Sequence, residues 1–421
     1  MTGVLHLSWE FPPVIYGGLG RHVEHLVRAQ HAAGLPVTVI TAAEDVTAPA
    51  RRIPAGARTW RGIELVRVRR PAPRLPWTDV LGAAAQLDNA MADAGLQNAG
   101  LHPPDVVHAH DWIGAQAGRR IADRAGARFV ITAHATEWGR RQGRIGPGQE
   151  DDIPRAIHRL ERSAMHEADA IIVCSEAMRD EVCGVLDAPA SRVTVVPNAV
   201  DAAAWASSPG SVRAAREYWL DGAAGPLIAA AGRLEWEKGF STLIRALPAV
   251  RDALPGVRAV LAGRGSYAGD LARLARHLQI GDVLVMPGWL GRRDLCALYA
   301  AADVVVVPSR YEPSGLVARE ALAAGATVIA TRAGGLPDAV QDQVTGRLID
   351  VGDVHALRDA LLALIGDPVA ACQLATAGSM AMRGLSWRTV AAQTQRIYRN
   401  DPETGARGPA MIEAGLWPER R

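Results

Sequence analysis

The sequence predicts an α/β protein with two doubly wound parallel-sheet domains. Short β-branched runs alternate with longer Ala/Leu/Arg-rich segments of helical period, the scheme repeats once along 421 residues, and glycine- or histidine-bearing turns follow the strand ends. Hydrophobic residues at 49% and charged residues at 21% suit large buried cores and exclude a disordered, collagen-like or disulfide-stapled chain. The formal net charge is +2 and neither half is a basic domain, so nucleic acid is not expected as a partner. Cys174, Cys183, Cys296 and Cys372 are far apart, show no metal-binding spacing, and read as reduced thiols of a cytoplasmic protein. Neither a signal peptide nor a membrane span is expected.

Taken in order, the strands expected in the first half are Val4 to Ser8, Pro36 to Thr41, Asp105 to Ala109, Arg128 to Ala133, Ala170 to Cys174 and Arg192 to Pro197. The second half follows with Pro226 to Ala231, Val257 to Ala262, Val283 to Met286, Asp303 to Pro308 and Ala326 to Thr331. The expected domains are residues 1–200 and 201–385, with a linker and a loosely packed helix over Val200 to Gly225. A last helix over 386–400 precedes a mobile tail at 401–421. The arginine-rich stretch from Arg51 to Arg74 lacks the apolar stripe of a patch for anionic lipid or an anionic acceptor and reads instead as a solvated loop with an edge strand, and Arg140 to Asp152 reads as an acceptor-side loop or lid.

Open parallel sheets bind ligands at the carboxyl ends of their strands. The unusual residues collect there: Gly17-Gly18-Leu19-Gly20, His108-Ala109-His110-Asp111-Trp112 and His134 in the first half, then Gly232-Arg233, Gly263-Arg264-Gly265 and Ser309 to Gly315 in the second. Two carboxyl edges facing one interdomain cleft would gather all of them.

Two stretches carry the chemistry. In Pro308 to Gly325 a helix is expected from about Ser314 to Ala324, opening its N-terminus at a strand end, where free amides and partial positive charge suit a diphosphate. Glu312 stands before that terminus and Glu320 on the helix, so each could accept hydroxyl hydrogen bonds, although an isolated Glu320 would read as a surface charge. Gly232 to Gly239 places Arg233 and Lys238 at another strand end, a spacing able to clamp a pyrophosphate and neutralise a departing nucleoside diphosphate. Lys238 is the only lysine among 46 basic residues. The plainer alternative pairs it with Glu235 or Glu237.

These motifs, together with SWEFPPVIYGGLGRHV, HAHDW, TAHATEWGR, VVPNAVD, LAGRGS and TRAGGLPD, resemble the retaining glycosyltransferases of family 4 on the glycogen-synthase-like side, through nearly the whole chain. The resemblance implies the GT-B fold, with an acceptor-binding first domain, a nucleotide-sugar-binding second domain, and a final helix with Trp387 returning to the first. It implies that Arg233 and Lys238 bind the donor diphosphate, that Gly315, Leu316 and Val317 lie at the phosphates, and that Glu320 holds the ribose hydroxyls. It also implies that Glu312 lies close to the transferred hexose, Gly17 and Gly18 approach the diphosphate, His134 stands beside the anomeric carbon, and Asp111 lies near the hexose or acceptor. Where bacterial glycogen synthases usually carry Lys-Thr before the double glycine, this chain has Ile15-Tyr16, which puts membership of the storage-glycogen branch in question.

The expected reaction is retaining α-transfer of a hexose, with glucose the first choice, from a nucleoside-diphosphate sugar to a glucan or oligosaccharide. Alternatives are a mannosyl- or other hexosyltransferase to a lipid or natural product, and a pseudo-glycosyltransferase joining a cyclitol nucleotide to an amine. No Asp-x-Asp stands at a strand end, so no metal and no cofactor are expected. A dinucleotide oxidoreductase is disfavoured because the glycines after the first strand do not follow GxGxxG, and a non-catalytic sugar-nucleotide sensor because catalytic and binding residues occur together. Ten of twelve histidines precede residue 200; His22 with Glu24 and His25 lacks a third ligand at useful spacing and reads as structural.

Overall fold

The computed structural model describes residues 3–45, 52–53, 55–69, 80–145 and 152–401. The chain divides into two compact units: among the described residues, 3–198 with 387–401 form the first and 199–386 the second. The expected tail lies outside the described residues except for Asp401, as do residues 146–151 of the expected acceptor-side loop and 51, 54 and 70–74 of the arginine-rich stretch.

In the first unit the elements run β1 (Val4–Ser8), α1 (Gly18–Ala32), β2 (Val37–Asp45), β3 (Arg52–Ile53), β4 (Gly56–Trp60), β5 (Ile63–Arg69), α2 (Val80–Leu101), β6 (Val106–His110), α3 (Ala115–Ala125), β7 (Arg128–Ala133), α4 (Glu137–Arg140), α5 (Asp152–Glu167), β8 (Ala170–Val173), α6 (Glu176–Val185) and β9 (Val193–Val195). The sheet order is β4-β5-β2-β1-β6-β7-β8-β9, with β3 paired to β2. All pairings are parallel except β2 with β3 and β4 with β5. Central strands such as β1 and β6 are buried along their whole length, as helices on both faces require. The sequence placed an edge strand in the arginine-rich stretch; the structure forms β4 as that antiparallel edge and adds β5 inside it.

The second unit runs α7 (Pro209–Leu220), β10 (Leu227–Ala231), α8 (Phe240–Ala253), β11 (Arg258–Ala262), α9 (Ala268–His277), β12 (Leu284–Gly288), α10 (Arg292–Ala301), β13 (Val304–Val307), α11 (Leu316–Ala323), β14 (Val328–Thr331), α12 (Leu336–Ala339), β15 (Arg347–Ile349), α13 (Val354–Gly366) and α14 (Pro368–Arg383). Its strands lie β12-β11-β10-β13-β14-β15, all parallel. That order reverses direction between β10 and β13, the position where doubly wound sheets open a ligand crevice beyond their strand ends.

The segment after Val200 is not loosely packed. Ser208 caps α7 by accepting from the Ser211 amide, Pro209 occupies the first turn, and Trp219 is buried. Trp205, in a short 3-10 turn, stacks on Tyr299 with ring centroids 5.9 Å apart, so two indoles anchor this segment to the second unit's core. α15 (Trp387–Tyr398) packs in the first unit on α1, where Trp387 stacks on His25. Among the described residues, no single helix is long and apolar enough to cross a membrane.

Candidate active site

In the second unit, the turns after β10 and β13 are knitted together. Lys238 Nζ donates to Glu312 Oε2 at 2.8 Å, and Arg233 Nη2 donates to Glu237 Oε1 at 3.1 Å. The Glu237 carbonyl accepts from the amides of Arg310 and Tyr311, and the Arg310 guanidinium lies over the Trp236 ring. Gly239 fixes the approach of these turns. Its φ is +66°, and a Cβ there would stand 1.9 Å from the Pro308 carbonyl oxygen. Lys238 therefore pairs with neither Glu235 nor Glu237; Glu235 is engaged with the amide and hydroxyl of Ser266.

The helix expected from Ser314 begins at Leu316 instead, because Gly315 takes φ +69° and stands outside the helix as its N-cap. Gly315, having no side chain, caps none of the amides of this first turn, which Leu316 and Val317 open. Gly315 N donates to Glu312 Oε1 at 3.3 Å and Gly335 N to the Glu312 carbonyl at 2.8 Å, which hold Glu312 against the helix start. Glu320, on α11, is buried, 7% exposed. Arg233, Lys238, Glu312, Gly315, Leu316 and Val317 thus come together at the switch point of one sheet. Arg233 stays open to solvent.

The corresponding edge of the first unit carries the other expected residues. Glu10 is buried, and its Oε2 accepts from the amides of Tyr16 and Gly17 at 3.0 and 3.1 Å, curling the loop so that α1 opens at Gly18 without a side-chain cap. Asp111 follows β6 in the left-handed region, φ +60°. Its Oδ1 accepts from the His134 amide at 2.6 Å, and burial pushes its carboxyl up to about 6. Asp111 therefore supports the turn bearing His134 from beneath. Burial, with Arg140 adding to it, lowers His134 to about 3, so the ring is neutral.

Comparison with known proteins fits this geometry. The family model described as Glycosyltransferase Family 4 matches residues 16–204, and that described as Glycosyl transferases group 1 matches residues 219–379. A glycogen synthase of Mycobacterium tuberculosis is 35% identical over 403 residues, 94% of either chain. The chain belongs to glycosyltransferase family 4. It is a glycosyltransferase that uses a nucleotide sugar, with the GT-B fold. An α-maltose-1-phosphate synthase of Mycolicibacterium smegmatis is 32% identical over 422 residues, covering 94% of this chain and 98% of its own. Among solved structures, a sucrose-phosphate synthase from Thermosynechococcus elongatus superposes with a TM-score of 0.80 at 24% identity, covering 95% of this chain and 99% of its own.

Two features of this family 4 enzyme escaped the sequence. Glu10 carries no signal along the sequence, because its service to the glycine loop depends on a fold-back that no spacing announces. Along α1, His22 had only Glu24 and His25 in view. In the structure its ring stands 4.6 Å from that of His134 and 5.6 Å from that of His110. The His22 ring thus lies beside rings contributed by β6 and by the turn after β7.

Proposed function

We propose that this enzyme moves a hexose, glucose in the first instance, from a nucleoside-diphosphate sugar to a hydroxyl of a glucan or oligosaccharide with retention of configuration. The observation that supports this most directly is the juxtaposition of Arg233, Lys238 and the uncapped start of α11 at the switch point of the second sheet. The diphosphate takes the two cations from their carboxylate partners and seats its oxygens on the Leu316 and Val317 amides. Glu320 accepts from the ribose hydroxyls and Glu312 from the hexose.

The bond from the anomeric carbon to the diphosphate oxygen breaks with its electron pair leaving on the diphosphate. The acceptor oxygen attacks from the same face and passes its proton to a departing phosphate oxygen. Stabilisation of that leaving group carries the catalysis, and neither a protein nucleophile nor a metal ion takes part. Gly17 and Gly18 offer backbone amides to the diphosphate, neutral His134 stands beside the anomeric carbon, and Asp111 holds its turn. A sugar phosphate is the second acceptor class, because the relative named for α-maltose-1-phosphate synthesis matches over the same share of this chain as the glycogen synthase.

The test is a nucleotide-release screen across ADP-, UDP-, GDP- and TDP-glucose, alone and with maltooligosaccharides or glucose phosphates. Release stimulated by one acceptor class, with an α-linked product by NMR, is the expected result. An absence of release from every donor sinks the reading.

A further inference from the structure

Five imidazoles, those of His6, His22, His108, His110 and His134, meet beside β1, β6 and α1 of the first unit. Burial, the first cause at every one, holds His6 at about 4, His134 at about 3 and the other three well below the usual value, so all are neutral. A neutral imidazole has one N–H and one lone pair, so each hydrogen bond dictates the role of the other nitrogen.

Gln30 Oε1 can only accept, so His6 Nε2 donates to it at 2.8 Å and His6 Nδ1 carries a lone pair. His110 Nε2 then donates to His6 Nδ1 at 3.1 Å, which leaves the His110 Nδ1 lone pair directed at His134 Nε2, also at 3.1 Å. Independently, Asn198 Oδ1 accepts from His22 Nδ1 at 2.6 Å. That leaves His22 Nε2 as a bare lone pair, and it is a buried polar atom with no hydrogen-bond partner.

We propose that His22 Nε2, His110 Nδ1 and His134 Nε2 form a binding site for a borderline divalent cation of the Zn2+ class. One ligand nitrogen from each of these residues lies within 4.8 Å of the other two. A tetrahedral site with metal–nitrogen bonds of about 2.1 Å sets its ligands about 3.4 Å apart, a distance that small ring rotations reach. Two of the three rings already have their remaining N–H fixed, His110 on His6 and His22 on Asn198, as metal-ligating imidazoles require of their surroundings. The neighbouring trio of His6, His108 and His110 is equally compact but spent. Both nitrogens of His6 are engaged, and those of His108 bond Tyr398 and Thr132.

Loading the ion moves the His134 proton from Nε2 to Nδ1, so three lone pairs face the metal with no net proton release and no redox change. Solvent fills the fourth position. The ion takes up the ring that the proposed reaction sets beside the hexose, so it slows transfer rather than assisting it.

The test uses the tag-free full chain, stripped with chelator and titrated with Co2+ in the absence of any sugar nucleotide, so it is decided whether or not the transferase reading holds. The expected result is one equivalent of Co2+ with the visible bands of a tetrahedral nitrogen-ligated ion, displaced by Zn2+. His22→Phe weakens binding by about 100-fold or more, and Asn198→Ala, which frees the His22 ring, by about 10-fold. His355→Ala, on an exposed position of α13, changes nothing. His22→Gln repeats the His22 test, and circular dichroism verifies the fold of each variant. Absence of the bands in the unaltered protein, or equal Co2+ affinity in folded His22 variants, overturns the proposal.

Discussion

Lys238 Nζ reaches Glu312 Oε2 at 2.8 Å across 74 residues of chain, so the only lysine of the protein ties the turn after β10 to the turn after β13. The side chains are 15% and 9% exposed, and removing one leaves the other charge poorly solvated. Lys238→Met is expected to lower folding stability by about 2 kcal/mol. Adding Glu312→Gln costs less than the two single changes together, because the stranded carboxylate is gone. Denaturant unfolding of the four proteins in this cycle measures the coupling. In turnover, Lys238→Met lowers kcat by about 100-fold and raises donor KM far less, since the ammonium matters most as the diphosphate departs. A rise in KM with kcat intact would assign Lys238 to ground-state binding alone.

Glu320 behaves differently because its proposed contact, with the ribose hydroxyls, is equally strong before and during bond cleavage. Losing it is uniform binding loss. Glu320→Ala is expected to raise donor KM by about 10- to 100-fold with kcat nearly unchanged. Steady-state kinetics with the donor identified by the release screen separate this from the Lys238 result, and similar effects of both variants on kcat would contradict the division of roles.

The donor side of this site was legible because its chemistry lies in two contiguous stretches, Gly232 to Gly239 and Ser309 to Glu320, each at a strand end whose β-branched run is plain. Elsewhere the signals were long-range or masked. β5 hid because its arginines look solvated, yet Arg67 is buried and donates to the carbonyls of Pro12 and Ala42. A guanidinium satisfied by backbone carbonyls inside a fold has the same letter as one in water. The histidine cluster was hidden for another reason: β1, α1, β6 and the turn after β7 each contribute one or two residues, and only the sheet order places them side by side. α11 began two residues late because Gly315 adopts a left-handed conformation that residue preference alone assigns to the helix.

Gly239 sets the place of Lys238, and its conformation leaves no room for change. At φ +66° any side chain is strained by about 1–2 kcal/mol. The nearest obstacle to a Cβ is also the Pro308 backbone, which cannot swing aside as a side chain could. Gly239→Ala is therefore expected to push the two turns apart, lowering the melting temperature by several degrees and kcat by at least about 10-fold. Circular dichroism should show the secondary structure intact. Wild-type kcat in this variant would mean that the Lys238 to Glu312 spacing is not needed for transfer.

Stability against pH follows from the same buried groups. The five imidazoles are depressed in the folded state, so above pH 6.5 they are neutral whether the chain is folded or not, and contribute no slope. Below 6.5 the unfolded chain takes up protons that the folded one refuses until about 4 at His6 and about 3 at His134. Stability therefore falls with acid, each ring contributing up to about 1.4 kcal/mol per pH unit. Asp111, raised to about 6, and Glu161, raised to about 8 by burial, work in the other direction: folded, they keep protons that the unfolded chain releases above the ordinary carboxylate range. Stability from Glu161 is full in acid and drains as pH rises to about 8, so the summed curve peaks near neutrality. Five rings outweigh two carboxyls on the acid side. Glu161→Gln, which keeps an oxygen to accept from the Glu137 amide, is expected to flatten the alkaline decline and to steepen the acid limb between about pH 4.5 and 6.5, where the opposing contribution of Glu161 is gone. Melting temperatures from pH 5 to 9 test both limbs, and an alkaline slope identical in the two proteins would show that Glu161 is ionised in the folded state.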